Sequence, residues 1–384
     1  MPNISATLEH AGAILEIDLG ALAANYDNLR RRAAPAECAA VLKANAYGLG
    51  AALVGPVLAA MGCQSFFVAH LGEGIELRQI LGPGAAIYVL NGPLPGTEGV
   101  FLEHALIPVL NSLGHLEQWH QHAASLERAL PAALHIDTGM ARLGLSALEA
   151  SNLAANPERL AGIDLHFIAS HLACADEPDH ALNDQQRQLF HGHLGSLPPA
   201  PASLANSSGI FLGPDYHYDM VRPGIALYGG NPTLGKPNPM REVVRLAGKI
   251  IQLREIDTPQ TVGYGATHRV TGPRRIATVP VGYADGYSRA LSGRGRAGIA
   301  GVSVPIVGRV SMDLITLDVT DVPGGAAYPG ALVDLIGGQG PSLDEVAAAA
   351  GTIALNVLTS LGHRYHRIYL DAPPGNIVGG RGNE

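Results

Sequence analysis

Polar and apolar positions change their period partway along the chain. From about residue 12 to 230, short apolar runs alternate with helical patterns. The runs are AAVLK (39–43), FFVAH (66–70), AIYVL (86–90), IPVL (107–110), ALHID (133–137), HFIASH (166–171), SLAN (203–206) and YDMVR (218–222). Short apolar runs of this kind read as buried strands. Between them, LGEGIELRQIL, SALEASNLAA and DQQRQLFHGHL read as helices. The first helix follows EIDLG, with Asp18 as N-cap and Leu22, Tyr26 and Leu29 on one face. This β-then-α alternation predicts an α/β fold, a (β/α)8 barrel over residues 12–235. A doubly wound parallel sheet would use the same alternation.

Beyond the Pro/Gly linker NPTLGKPNP (231–239) strand patterns take over: VVRLAGKIIQLREI, RRIATVPVGY, VSVPIVGRVSMDLITLDV and ALVDLIG. Ile315, Leu317 and Val319 alternate with Thr316 and Asp318, as in a half-buried strand. One late helix is marked by the capping box Ser342…Glu345. A mostly β domain is therefore expected over 240–384, with the first N-terminal strand joining it.

Composition narrows the function classes. The chain has 384 residues, 47% apolar and only 15% charged, which excludes disorder as its general state. Net charge is −8 with scattered basic residues, so no nucleic-acid partner is expected. The three cysteines, Cys38, Cys63 and Cys174, cannot build a disulfide framework. MPNISATLEH lacks a basic segment followed by an apolar stretch, and the longest apolar region, 51–62, is broken by Gly55 and Pro56. A cytoplasmic protein without a membrane partner is the expectation. GRGRAG (293–298) fits a dinucleotide loop but lies in no βαβ unit, and HLEQWHQH (115–122) lacks metal-ligand spacing. No metal site is expected.

Candidate chemistry gathers where barrel strands would end: Lys43, Asp137, Arg142, His171, Asn206, Ser207 and Arg222. A lysine there forms a Schiff base once burial lowers its pKa, and pyridoxal phosphate supplies a fitting carbonyl. ANSSG (205–209) and RPGIALYG (222–229), with amides at Gly224 and Ile225, offer a phosphate site that Tyr47 would reach. Plainer readings exist. Lys43 could snorkel, Arg142 could sit in a surface turn, Asn206 and Ser207 could cap a helix, and His171 could be a satisfied core histidine. Tyr264, between Gly263 and Gly265, could cover a bulge.

The order of the motifs weighs against those readings. AVLKANAYGLG, HIDTGMARLG, SHLACADE, ANSSG, DMVRPGIALYG, VGYGAT, VPVGYADGY and VGRVSMD resemble the successive motifs of the alanine racemases. The resemblance implies a fold-type III enzyme, a homodimer with shared active sites that interconverts L- and D-alanine with pyridoxal 5′-phosphate. It also implies a supply of D-alanine for peptidoglycan. By position, Lys43 resembles the cofactor-binding lysine and base on the D-face. Tyr264 resembles the base on the L-face, given by one subunit to its partner's site. Tyr47, Ser207, Gly224 and Ile225 resemble the phosphate cradle, with Asn206 beside them. Arg222 resembles the donor to the pyridine nitrogen, helped by His171. Arg142 resembles the residue on the phenolic oxygen, close to the substrate, and the Met312 amide resembles a contact to the substrate carboxylate. An arginine cannot hand its proton to the ring, which leaves a weaker electron sink and speaks against a decarboxylase on this architecture. A non-catalytic carrier of the cofactor would lack the β domain and its Tyr264. Three positions depart from the family pattern. His135 stands where a lysine is frequent, Ser311 where a cysteine is frequent, and His363, two residues before Tyr365, where a phosphate-touching tyrosine is frequent.

Overall fold

The computed structural model describes residues 8–371. Met1–Thr7, on which part of the leader reading rests, and residues 372–384 of the expected second domain lie outside them. The chain divides into two compact units. One takes residues 23–227 and 231–240; the other takes those up to Leu22, Tyr228–Gly230 and the chain from Arg241 on.

In the first unit the apolar runs become parallel strands: Glu37–Cys38 and Ala40–Val41, Ser65–Val68, Ala86–Val89, Ile107–Leu110, Leu130–His135, Ile163–Ala169, Ala202–Ser203 and Met220–Val221. The first two are one strand split at Ala39. Its Cys38 end pairs with Val221, its Val41 end pairs with Phe67, and the Ala39 N–H donates to Val221 O at 3.0 Å. The ring is thereby closed, so the doubly wound sheet is excluded and the barrel stands. Ser65–Val68 and Ile107–Leu110 are buried at every position, as expected for strands covered on both faces. Phe67 stacks on Tyr88 at 4.9 Å inside the ring.

Strands end earlier than the apolar runs suggest. The first stops at Val41, two residues short of Lys43, and Ala202–Ser203 and Met220–Val221 stop before Asn206 and Arg222. These side chains therefore sit on the loops beyond the C-terminal strand ends. Helices follow the expected segments: Leu71–Leu81, Ala147–Ala155 behind a Ser146–Glu149 capping box, and Ala181–Leu194. Helix Leu19–Ala33 starts where Asp18 Oδ1 accepts the Ala21 N–H at 2.7 Å, and Leu22, Tyr26 and Leu29 are buried as its period requires.

The second unit is built on a six-stranded sheet, a three-stranded sheet and a hairpin. Strand Ala13–Asp18 lies between Val244–Lys249, antiparallel to it, and His366–Leu370, parallel to it. The long run 243–256 breaks at Ile250 and Ile251, so that Gln252–Ile256 joins the other sheet with Arg274–Val279 and Ile315–Asp318. The hairpin Gln260–Val262/His268–Val270 packs Val262 and Val270 against Ile256, Ile276 and Val307. The capping box at Ser342 opens helix Leu343–Ala349 as expected. A second short helix, Ala354–Ser360, has Ile353 at its N-cap and no capping side chain, so the sequence carried no start signal for it. Among the described residues no helix is long and apolar enough to cross a membrane.

Candidate active site

Lys43 opens a turn of reversed hand. Ala44, Asn45, Ala46 and Tyr47 have φ of 55°, 53°, 53° and 55°. An L-residue in this region costs about 1–2 kcal/mol, so the surroundings must hold the run in place. The Ala44 N–H donates to Glu73 Oε1 at 2.6 Å, the Ala46 N–H to Leu42 O at 2.8 Å, and the Ala51 N–H to Asn45 Oδ1 at 2.7 Å. Gly48 and Gly50, at φ of 84° and 101°, carry the chain out. The other Glu73 oxygen accepts from the Ala69 and His70 N–H groups at 2.8 and 3.0 Å.

This anchoring leaves Lys43 half-buried. Burial first, then the Arg142 charge, push its ammonium below the usual lysine range, and the Glu73 carboxylate opposes them. The other two lysines differ in setting. Lys236 is exposed, and Lys249 donates to Leu8 O and Glu9 O at 2.9 and 3.1 Å.

Around Lys43 the barrel mouth is cationic. Arg222 is only 7% exposed. Its Nη2 donates to Ser170 O at 2.6 Å and its Nη1 to Ser203 Oγ, while its Nε–H meets no partner among the described residues. No carboxylate pairs with it there, and burial brings its pKa down to about 10. Burial and then the Arg222 and Arg142 charges press His171 down to about 3. His135 falls to about 4 through burial and Arg222. Both imidazoles are therefore neutral near pH 7. Asn111 sets the tautomer of His135. Its Nδ2 donates to Leu90 O and Val109 O at 2.9 and 3.0 Å, so its Oδ1 accepts from His135 Nδ1 at 2.8 Å and Nε2 keeps its lone pair. Gln186, fully buried, holds the His171 loop by donating to His171 O at 2.9 Å and accepting from the Ala173 N–H at 2.8 Å.

Arg142 is exposed and follows a turn wrapped on Asp137. Burial works against that carboxylate, but N–H donors from Gly139, Met140 and Ala141 hold its pKa below the usual range. A mouth with this sign attracts anions.

A second cluster is suited to a phosphate. Buried Ser207 Oγ accepts from the Gly224 and Ala226 N–H groups at 2.9 and 3.2 Å, so its own hydroxyl hydrogen is free to donate. The Gly224 amide is thus already engaged, whereas the Ile225 N–H has no partner among the described residues. Tyr47 closes the cluster. A Cβ on Gly224 would lie 2.2 Å from Tyr47 Oη, so any side chain there would have to push the tyrosine aside. Asn206 acts as a cap, its Oδ1 accepting the Gly209 N–H at 2.9 Å.

The second unit bears the remaining candidates. Tyr264 stands in the turn of the hairpin, 72% exposed, and Met312 is 53% exposed. The Met312 carbonyl accepts the Ala284 N–H at 3.0 Å and lies 2.3 Å from the place a Cβ on Gly282 would take. Its own N–H has no partner among the described residues. Arg364 braces the same loop, pairing with Asp285 and, at 2.7 Å, with Asp313. Near the C-terminus His363 is exposed, while Tyr365 is buried and its hydroxyl has no partner among the described residues. Glu73, Asn111, Gln186 and Arg364 stand in no motif that marks them in the sequence.

A closed parallel barrel with a lysine, two arginines and an anion cradle at its C-terminal rim defines a lysine-centred barrel enzyme, here joined to a sheet-rich second unit. Comparison with known proteins narrows the class. Residues 17–232 match the family model described as alanine racemase, N-terminal domain, and residues 243–369 that described as alanine racemase, C-terminal domain. The chain belongs to the alanine racemase family. It is 53% identical over 362 residues to an alanine racemase of Rhodospirillum rubrum, covering 94% of this chain and 96% of that one. It is 49% identical to a catabolic alanine racemase of Mesorhizobium japonicum, covering 94% of each. Among solved structures, the alanine racemase of Bartonella henselae, with covalently bound pyridoxal phosphate, superposes with a TM-score of 0.90. That pair is 41% identical over 94% of this chain and all of that one. The biosynthetic alanine racemase of Pseudomonas aeruginosa gives a TM-score of 0.87 at 35% identity, covering 94% and 99%.

Proposed function

We propose that this chain interconverts L-alanine and D-alanine with pyridoxal 5′-phosphate, as a homodimer in the cytoplasm, and that its D-alanine serves peptidoglycan. The observation that carries the reading is Arg222, a buried guanidinium that pairs with no carboxylate among the described residues and whose Nε–H is left over, on a barrel rim that also carries half-buried Lys43. A buried cation of this kind wants an electron-rich acceptor, and a pyridine nitrogen is one. The Ser207–Gly224–Tyr47 cradle, which a side chain at 224 would fill, fits the phosphate.

In this reading Lys43 holds the cofactor through its amine. The Ser207 hydroxyl, the Ile225 N–H and Tyr47 take the phosphate, with Asn206 fixing the turn under Ser207 and Gly224 leaving the room. Arg222 donates to the ring nitrogen and keeps its own proton, with His171 neutral at its side. Arg142 faces the phenolic oxygen and the substrate carboxylate, and the His135 Nε2 lone pair is the neutral acceptor available to it. Pyridoxal phosphate supplies the electron sink that acidifies the α-hydrogen of alanine.

Inversion needs a base on each face. Lys43, its proton loosened by burial, serves one face. Tyr264 of the partner subunit serves the other, and Met312 of the partner subunit offers its free N–H to the carboxylate. Support for a shared site comes from the exposure of both residues in a single chain.

The test is a proton NMR time course with L-alanine and pyridoxal phosphate in D2O. Loss of the α-proton signal with D-alanine appearing supports racemisation; intact L-alanine with cofactor-loaded protein rejects alanine as substrate. Tyr264→Phe should lose turnover by at least ~100-fold, the scale of a removed acid–base group, while keeping the cofactor. Unchanged turnover would remove Tyr264 from the chemistry.

A further inference from the structure

Glu73 sits three residues into the segment starting at His70, and in sequence it is an ordinary capping-box acid for helix Leu71–Leu81. A capping box occupies one carboxylate oxygen. Here Oε2 does that work, accepting from the His70 and Ala69 N–H groups, while Oε1 crosses to the neighbouring loop and accepts the Ala44 N–H at 2.6 Å. Ala44 is the first residue of the left-handed run and the one bonded to Lys43. One carboxylate therefore ties the end of strand Ser65–Val68, the start of a helix and the lysine turn together.

The charge matters as well as the reach. Among the described residues, the groups acting electrostatically with Lys43 are the Arg142 guanidinium, the His171 imidazole and the Glu73 carboxylate, and Glu73 is the one of opposite sign. We propose that Glu73 is the positioning residue of Lys43, pinning the strained turn through the Ala44 N–H and setting how readily the amine gives up its proton. The inference rests on Lys43 being the cofactor lysine.

The test uses full-length protein stripped of cofactor and then supplied with pyridoxal phosphate. Only an unprotonated amine adds to the aldehyde, with loss of water, so the rate of linking against pH reads the protonation midpoint of the amine. The absorbance of the linked cofactor follows the reaction, independent of turnover. Glu73→Gln keeps the reach, with one acceptor oxygen left for the three N–H donors, but removes the charge that favours the ammonium, so its midpoint should move to lower pH. Glu73→Asp keeps the charge but is one methylene too short to span the gap, so its high-pH plateau should fall about tenfold, as expected when a reacting group is misplaced. Profiles of both variants that superpose on the wild type would overturn the proposal. A wild-type protein that, after borohydride trapping, carries the cofactor on Lys236 or Lys249 or on no lysine would overturn the cofactor reading instead.

Discussion

At the scale of single residues, Arg222 governs the electrostatics of the barrel mouth. After burial, its charge is the largest influence holding down both His171 and His135. Arg222→Met removes that charge while keeping much of the volume. Both imidazoles should then titrate at higher pH, read in cofactor-free protein by NMR of their ring C–H signals. Unmoved midpoints would assign the shifts to burial alone. Arg222 was legible in the sequence because it is a charged residue closing the apolar run YDMVR, at a strand end where barrels carry their chemistry. Glu73 and Asn111 were not. Glu73 acts on a backbone group 29 residues away and Asn111 on a side chain 24 residues away, and nothing local to either marks the partner.

At the scale of elements, the barrel was readable because strands buried on both faces are unbroken apolar runs. The lysine turn was readable only as a turn. Gly48 and Gly50 announce it, but alanine, asparagine and tyrosine give no hint that four residues in succession wind to the left, since tertiary bonds impose that hand. Tyr47 at the end of this run meets the loop at Gly224. Gly224→Ala would drive its methyl into the Tyr47 hydroxyl, and buried Tyr47 has little room to retreat. A loss of about 1–3 kcal/mol of stability is expected from overpacking. Weaker retention of pyridoxal phosphate should accompany it, measured by dialysis against buffer. A variant that melts and holds the cofactor like the wild type would show the cradle to be more yielding than its packing implies.

At the scale of the whole molecule, the two low histidines make stability depend on pH. Their folded pKa values lie below the unfolded value of 6.5, so above that pH neither state is protonated and they contribute nothing. As pH falls the unfolded chain takes up protons first and the native state loses ground. For His135 the loss runs from 6.5 down to about 4, beyond which the native state is protonated too. It amounts to roughly 3 kcal/mol at about 1.4 kcal/mol per pKa unit. Urea midpoints from about pH 7 to about pH 5 should fall less steeply in His135→Asn than in the wild type. Equal slopes would mean His135 is not held neutral by the fold. Tyr264 has a consequence of another kind. A lone chain carries Lys43 and its cations in its own barrel but holds its exposed phenol out to solvent. On the proposed reading, such a chain could lift a hydrogen from one face of alanine and return it only to that same face. It would exchange isotope and never invert. Handedness would then be lost and regained by the pair of chains, and at dilutions that part them the stereochemistry of the product would report the association equilibrium.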